Sequence, residues 1–396
     1  MVYLILFLML TLMCAVGLIA VCVTAVRLAV HGASPSSLLR LKRWAACATA
    51  AVMLNAGLIA LSQWTASTPA ITDEQGNRPA GSIAELVRVD LNGRREWITI
   101  RGWDKEKPVL LFLAGGPGGT QLAAVRHELA ELEKHFVVIG WDQPGSGKSS
   151  GAVKTKDISV ETYIADGHAL TGYLKERFGE EKIFLIGESW GSALGVFLAD
   201  RYPEDYYALI GTAQMVDFLQ TDRMDYHNVM EMAMDAGDNA LVERLTRNGE
   251  PPYYGKGIAL KSAVFLNYLS SKMANDPRIH NPGYSTFRDI GSPEYGLLDK
   301  INFFRGLIET FDQVYPQLYS IDLRRDFAKL EIPIWFFLGR HDLNAPASLA
   351  EDYERVLQAP GKGIVWFEHS GHSPWINERD KFTEEVLKCF TAGLDY

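Results

Sequence analysis

The chain has 396 residues, 47% of them hydrophobic, with 39 Lys and Arg against 48 Asp and Glu and a formal net charge of −9. Its first 64 residues contain four basic side chains and no acidic one, so the remainder carries 35 basic against 48 acidic groups. That balance argues against a nucleic-acid partner and against direct adhesion to anionic lipid.

Residues 1–26 carry no charged side chain, and Leu, Val, Ile, Ala and Met dominate over a length sufficient to cross a bilayer. The absence of Lys and Arg ahead of this run, and its length, argue against a cleavable signal peptide. A second uncharged run, Trp44–Leu61, is richer in Ala and has Trp44 and Trp64 near its ends. A helix lying on the membrane, or buried against the catalytic part, is the other reading of this second run. We read residues 1–64 as a membrane anchor of two transmembrane helices, 3–26 and 44–62, joined by a basic loop holding Arg27, Arg40, Lys42 and Arg43. Cytoplasmic loops retain Lys and Arg, so this loop should lie inside and the rest of the chain outside the cytoplasmic membrane. Cys14, Cys22 and Cys47 fall in the anchor, which leaves Cys389 alone elsewhere; neither a disulfide framework nor metal spacing appears, and no cofactor is expected.

Residues 65–83, with Pro69, Gly76 and Pro79, read as a linker. Ala84–Asp90 and Arg95–Arg101 flank Asn92-Gly93, a strong hairpin signal. Strand-like runs at 108–113, 136–141, 182–187 and 207–211 alternate with helical patterns at 120–134, 158–178 and 190–201. Such alternation predicts an α/β fold, a mostly parallel twisted sheet with helices on both faces. Residues 214–329 interrupt it with helix-like segments rich in Met, Tyr and Phe, read as a helical cap inserted after the sixth strand. Strands at 332–339 and 363–367 resume the pattern, so the core comprises 84–213 and 330–396.

Gly187-Glu188-Ser189-Trp190-Gly191 lies between an apolar strand and a small-residue helix, the setting of a nucleophile elbow. A serine hydroxyl needs an imidazole base, and the base needs an acid to fix its tautomer. Asp342 follows one late strand and His372 the next, giving the chain order Ser, Asp, His. His369 competes with His372, which has Gly371 beside it to turn the loop sharply. The glycine-rich loop 114–120 offers the Gly116 N–H to an oxyanion, and Trp190, after the nucleophile, offers the second donor. The loop lacks the Lys-Ser/Thr ending of a P-loop, and Pro117 breaks the spacing of a dinucleotide fingerprint.

Three blocks carry a narrower likeness: Ala114-Gly115-Gly116-Pro117-Gly118, the stretch Trp141-Asp142-Gln143-Pro144-Gly145-Ser146-Gly147-Lys148-Ser149, and Gly187-Glu188-Ser189-Trp190-Gly191-Ser192. Together they resemble the prolyl aminopeptidase (proline iminopeptidase)-like branch of the α/β-hydrolase superfamily, over about residues 84–213 and 330–392. The resemblance implies an α/β-hydrolase fold with a cap and amide or ester hydrolysis through a Ser189–His372–Asp342 triad. It further implies aminopeptidase action on short peptides, with acidic cap residues holding the free α-amine. Glu231, Asp235, Asp238, Glu243 and Glu250 are acidic residues this cap offers. Ala114 stands where the branch has histidine and Pro144 where it has arginine, departures that bear on proline specificity. A carboxylesterase or lipase-like hydrolase acting on amphiphilic substrates is the alternative. A non-catalytic, membrane-tethered binding protein on the same fold is an alternative of another class.

Overall fold

The computed structural model describes residues 2–281 and 283–391. Met1 of the anchor, Pro282 of the cap and residues 392–396 of the core lie outside the described residues. The chain divides into two compact units, one of residues up to Ser67 with Gly291–Ile301, the other of Thr68–Ile290 with Asn302 onward.

The first unit is built on α1 (Val2–His31) and α2 (Pro35–Trp64). Only residues 32–34 separate them, so most of the basic stretch expected as a loop is helical. The local chemistry accounts for the short break. Ser34 and Ser37 cap each other reciprocally, and Pro35 takes a first-turn position where no N–H is needed. Gly32 supplies the positive φ of 80° that the turn requires. Tyr3 Oη meets Thr65 Oγ1 at 3.0 Å, Asn55 Nδ2 donates to Thr11 Oγ1 at 3.4 Å, and Gly17 faces Ala48. That order of pairs defines an antiparallel helical hairpin with a small-residue contact midway. Both helices are long and apolar enough to cross a membrane. Residues 291–301, expected within the cap, join this unit through Gln63 Nε2 to Asp299 Oδ1 at 3.0 Å and the Leu297 N–H to Ser62 Oγ at 3.0 Å.

The second unit contains an eight-stranded sheet. Its strands are β1 (Ile83–Leu91), β2 (Arg94–Gly102), β3 (Val109–Leu113), β4 (Val137–Asp142), β5 (Ile183–Glu188), β6 (Tyr206–Thr212), β7 (Ile334–Gly339) and β8 (Lys362–Phe367). They lie in the order β1-β2-β4-β3-β5-β6-β7-β8, with the β1–β2 and β2–β4 pairs antiparallel and the rest parallel. Asn92 and Gly93, with φ of 54° and 79°, make the tight turn of the first hairpin. Between the strands run α3 (Leu122–Glu128), α4 (Val160–Phe178) and α5 (Trp190–Arg201). The α3 helix is shorter than the 120–134 expected, because Glu133 turns inward to the Arg101 guanidinium at 2.6 Å and its carbonyl accepts the Trp103 N–H at 2.7 Å. Arg101 also holds Thr68 Oγ1 at 2.8 Å and the Pro69 carbonyl at 2.5 Å, so the stretch read as a linker is fastened to the core at its start.

The period-two alternation of buried strands is visible in β3: Val109, Leu111 and Leu113 belong to the cluster that includes α4 and α5, whereas Leu110 and Phe112 face the opposite cluster. After β6 come α6 (Phe218–Asp235), α7 (Asn239–Asn248), α8 (Ile258–Ala274), α9 (Thr286–Gly291) and α10 (Leu297–Arg305). A π-helical turn, Gly306–Thr310, leads to α11 (Phe311–Val314) and α12 (Leu323–Asp326). Tyr226, Val229, Leu245, Phe265 and Leu269 give α6, α7 and α8 a small core of their own. Of the last helices, α13 (Ala347–Val356) packs in the cluster of α4 and α5, and α14 (Pro374–Asn377) and α15 (Arg379–Thr391) pack in the opposite one.

Candidate active site

Ser189 stands between the C-terminal end of β5 and the start of α5, with φ 52° and ψ −119°, a region an L-residue adopts only at a cost. The flanking glycines permit it. A Cβ on Gly191 would lie 2.6 Å from the Leu113 carbonyl carbon, and one on Gly187 would lie 2.7 Å from the Ser192 nitrogen. Ser189 N–H donates to the Thr212 carbonyl at 3.0 Å, and the Ser192 hydroxyl donates to the Ser189 carbonyl at 2.5 Å, which pins the strained residue from both sides.

Asp342 lies beyond the end of β7 and accepts the N–H groups of Asn344 and Ala345 at 2.8 and 3.0 Å. His372 Nδ1 sits 3.0 and 3.1 Å from its two carboxylate oxygens. Burial disfavours the imidazolium, yet the charge and hydrogen bond of Asp342, with the charge of Glu188, outweigh it and hold the His372 pKa above its ordinary value. Ser189 and His372 line the same two cavities. His369 instead stacks on the exposed side, its ring centroid 4.2 Å from that of His280 and its Nδ1 3.2 Å from the Arg278 carbonyl.

Gly116, with φ 143°, lines both cavities beside Ser189. The N–H of its neighbour Gly115 is used, donating to Gln121 Oε1 at 3.2 Å. Trp190 is the first residue of α5, where helix N–H groups have no intrahelical acceptor. Its indole donates to Gln143 Oε1 at 3.0 Å, and Gln143 Nε2 donates to the Ala114 carbonyl at 3.2 Å. One side chain thus braces the glycine loop against the elbow. The buried Asp142 holds the stretch around Gln143 by accepting from Thr120 and from the Lys148 N–H.

Two sets of groups escaped the sequence reading. Glu188 is buried and fully satisfied: Oε1 accepts from Ser373 Oγ and Trp375 Nε1, both at 2.8 Å, and Oε2 from Gln121 Nε2 at 2.5 Å and the Tyr284 hydroxyl. It therefore ties the elbow to the loop bearing His372 and to the helical insertion. Asp222 and Asp225 on α6 line the smaller cavity with Ser189 and His372. Asp222 accepts the hydroxyls of Tyr315 and Tyr319 at 2.7 and 3.2 Å, while burial pushes its carboxyl up to about 7. Asp225 is fully buried with neither oxygen hydrogen-bonded, and burial, then Asp222 and Asp342, push it up to about 9. By contrast, Glu231, Asp235, Asp238, Glu243 and Glu250 are all exposed. The phase of α6 carries the signal, since Glu231 and Asp235 on the same helix lie off its buried stripe. Asp222 and Asp225 fall on the same stripe as buried Phe218, Thr221, Tyr226, Val229 and Ala233.

Residues 108–377 match the model of the alpha/beta hydrolase fold family. A "Probable aminopeptidase" of Bacillus subtilis (strain 168) is 29% identical over 310 residues, covering 78% of this chain and 96% of that protein. Among solved structures, the proline iminopeptidase of Mycobacterium smegmatis aligns with a TM-score of 0.57 at 17% identity, over 78% of this chain and 98% of that one. A membrane phospholipase A described as a bacterial virulence factor aligns with a TM-score of 0.56 at 19% identity, over 92% of this chain and 100% of that one. At these identities the two structural likenesses are likenesses of fold.

Proposed function

Given that the chain belongs to the α/β-hydrolase family and is a hydrolase, we propose that it is a serine hydrolase of the prolyl aminopeptidase-like kind, acting on substrates with a free α-amine. Ser189 Oγ attacks the carbonyl as His372 takes its proton, Asp342 orients the imidazole and stabilises its cation, and the N–H groups of Gly116 and Trp190 receive the oxyanion. His372 then activates water to release the acyl group. The observation that carries the amine preference is Asp225, an unpaired buried carboxylate in the cavity that also holds Ser189 and His372. A buried carboxyl kept protonated for want of a partner is primed for a cation. An incoming ammonium supplies the missing charge and donors.

The same reading assigns residues 1–64 to a membrane anchor, 65–83 to a linker, 84–213 and 330–396 to the catalytic core and 214–329 to the cap, with the catalytic part outside the cytoplasmic membrane. Its support is the pair of apolar helices and the Lys/Arg placement around their connection. Protease protection of the C-terminus in intact spheroplasts would refute the orientation.

Fluorophosphonate labelling tests the nucleophile: wild type should label and Ser189→Ala should not. Ala- and Pro-naphthylamide, each with and without an N-acetyl group, test the amine preference. Faster turnover of short p-nitrophenyl esters with no amine would favour the esterase reading.

A further inference from the structure

Two cavities meet at Ser189. Gly116, Ser189, Ser270 and His372 line both, and beyond this shared wall the two have different characters. The smaller, about 240 Å³, ends at Asp222 and Asp225 among Phe218, Phe311 and Tyr315. The larger, about 510 Å³, runs past Glu188 and Tyr284 to Phe303, Phe304 and Leu307. A carbonyl attacked by Ser189 must send its acyl portion one way and its leaving group the other. If the acyl amine occupies the end with the unpaired carboxylate, the leaving group lies in the larger cavity.

Phe303, Phe304 and Leu307 give that cavity an apolar side, with Thr286 and Asp289 also in its lining. Phe304 and Leu307 are 52% and 40% exposed, and Phe287 and Ile308, next in sequence to the lining residues Thr286 and Leu307, are 90% and 43% exposed. Exposed apolar side chains at the mouth of a site mark a place where hydrocarbon is received. A soluble peptide leaves with a charged carboxylate, and among the described residues that line this cavity there is no Lys or Arg to receive one. Two helices of membrane-spanning length precede the catalytic part in the same chain, which would keep it where amphiphiles reside.

Building on the amine-anchored reading above, we propose that the physiological substrate class is an aminoacyl amphiphile, an α-amino acyl group joined by an ester or amide bond to a hydrocarbon-bearing alcohol or amine. The Ser189 Oγ–acyl bond forms as the bond from the carbonyl carbon to the leaving oxygen or nitrogen breaks. The serine proton passes through His372 to that leaving atom. Water then adds hydroxyl to the acyl carbon as the Ser189 Oγ–acyl bond breaks, and its other proton passes through His372 to Ser189 Oγ. The products are a free amino acid and the amphiphilic alcohol or amine.

The test uses the full chain in nanodiscs with alanine ethyl, hexyl and decyl esters below their micelle-forming concentrations. Burial of each methylene should raise kcat/KM about two- to fourfold until the groove is filled, so the decyl-to-ethyl ratio should exceed about 30. In a Phe304→Ser, Leu307→Ser variant that ratio should fall below about 3. A wild-type ratio near 1 overturns the proposal without any variant, and a high ratio unchanged by the double substitution overturns the assigned wall. N-acetylated esters separate the two levels of argument. If acetylation leaves rates unchanged, the amine-anchored reading fails; if free-amine esters are preferred but chain length is ignored, only the amphiphile fails.

Discussion

Glu188 and Asp225 are both buried carboxylates in the walls of one site, and they differ in their company. Glu188 accepts four hydrogen bonds from side chains on three separate stretches of chain. Asp225 accepts none. A satisfied carboxylate holds structure together, because each donor it meets has already been withdrawn from water. An orphaned one costs stability, and a protein retains such a cost where a ligand relieves it. On the proposed reading, the contrast separates a brace from a receptor around the same serine.

The contrast can be broken experimentally. Asp225→Asn should lower kcat/KM for free-amine substrates about 10²-fold, the scale of losing one partner of a buried ion pair, while N-acetylated substrates change little. Equal losses on both would show that Asp225 supports the fold instead. Glu188→Gln removes a negative charge that helps raise the His372 pKa. In the proposed mechanism activity requires the neutral imidazole, so kcat/KM rises with pH through that pKa, and the variant's acid limb should move to lower pH. An immobile limb would confine Glu188 to a packing role. Glu188→Ala strands the buried Ser373 and Trp375 donors and should cost about 2 kcal/mol, seen as a Tm several degrees lower.

The smallest effect has the opposite sign. Asp225 titrates near 9 in the folded chain, against about 3.9 in an unfolded one. Between those values the folded state binds more protons, so its stability falls as pH rises through the window. Asp225→Asn should therefore raise Tm by a few degrees at pH 8 and leave it nearly unchanged below pH 4. A variant less stable than wild type at pH 8 would mean the carboxylate has a partner after all.

Much of this arrangement was legible in the sequence because it is local. A strand, a sharp Gly-x-Ser-x-Gly turn and a helix declare themselves within a dozen residues, and β3, β5, β7 and β8 each deliver their loop at the same sheet edge. The amine-side carboxylates were passed over because acidic residues on an insertion resemble solvated ones unless helix phase is followed. Traced at 3.6 residues per turn, Asp222 and Asp225 are the acidic members of the buried stripe of α6. Glu188 was hidden differently, as the unspecified position of a motif, since its four donors come from distant parts of the chain. The extent of α1 and α2 exceeded the uncharged runs because arginine and lysine sustain a helix well beyond where they end an apolar span.

The backbone at Ser189 has one consequence for how such a protein decays. Its φ of 52° is one that glycine reaches without steric penalty, so Ser189→Gly would remove the proposed nucleophile while relaxing the chain. The inert form should survive heating better than the working one. Quality-control proteases, which sense unfolding and not turnover, would let it accumulate.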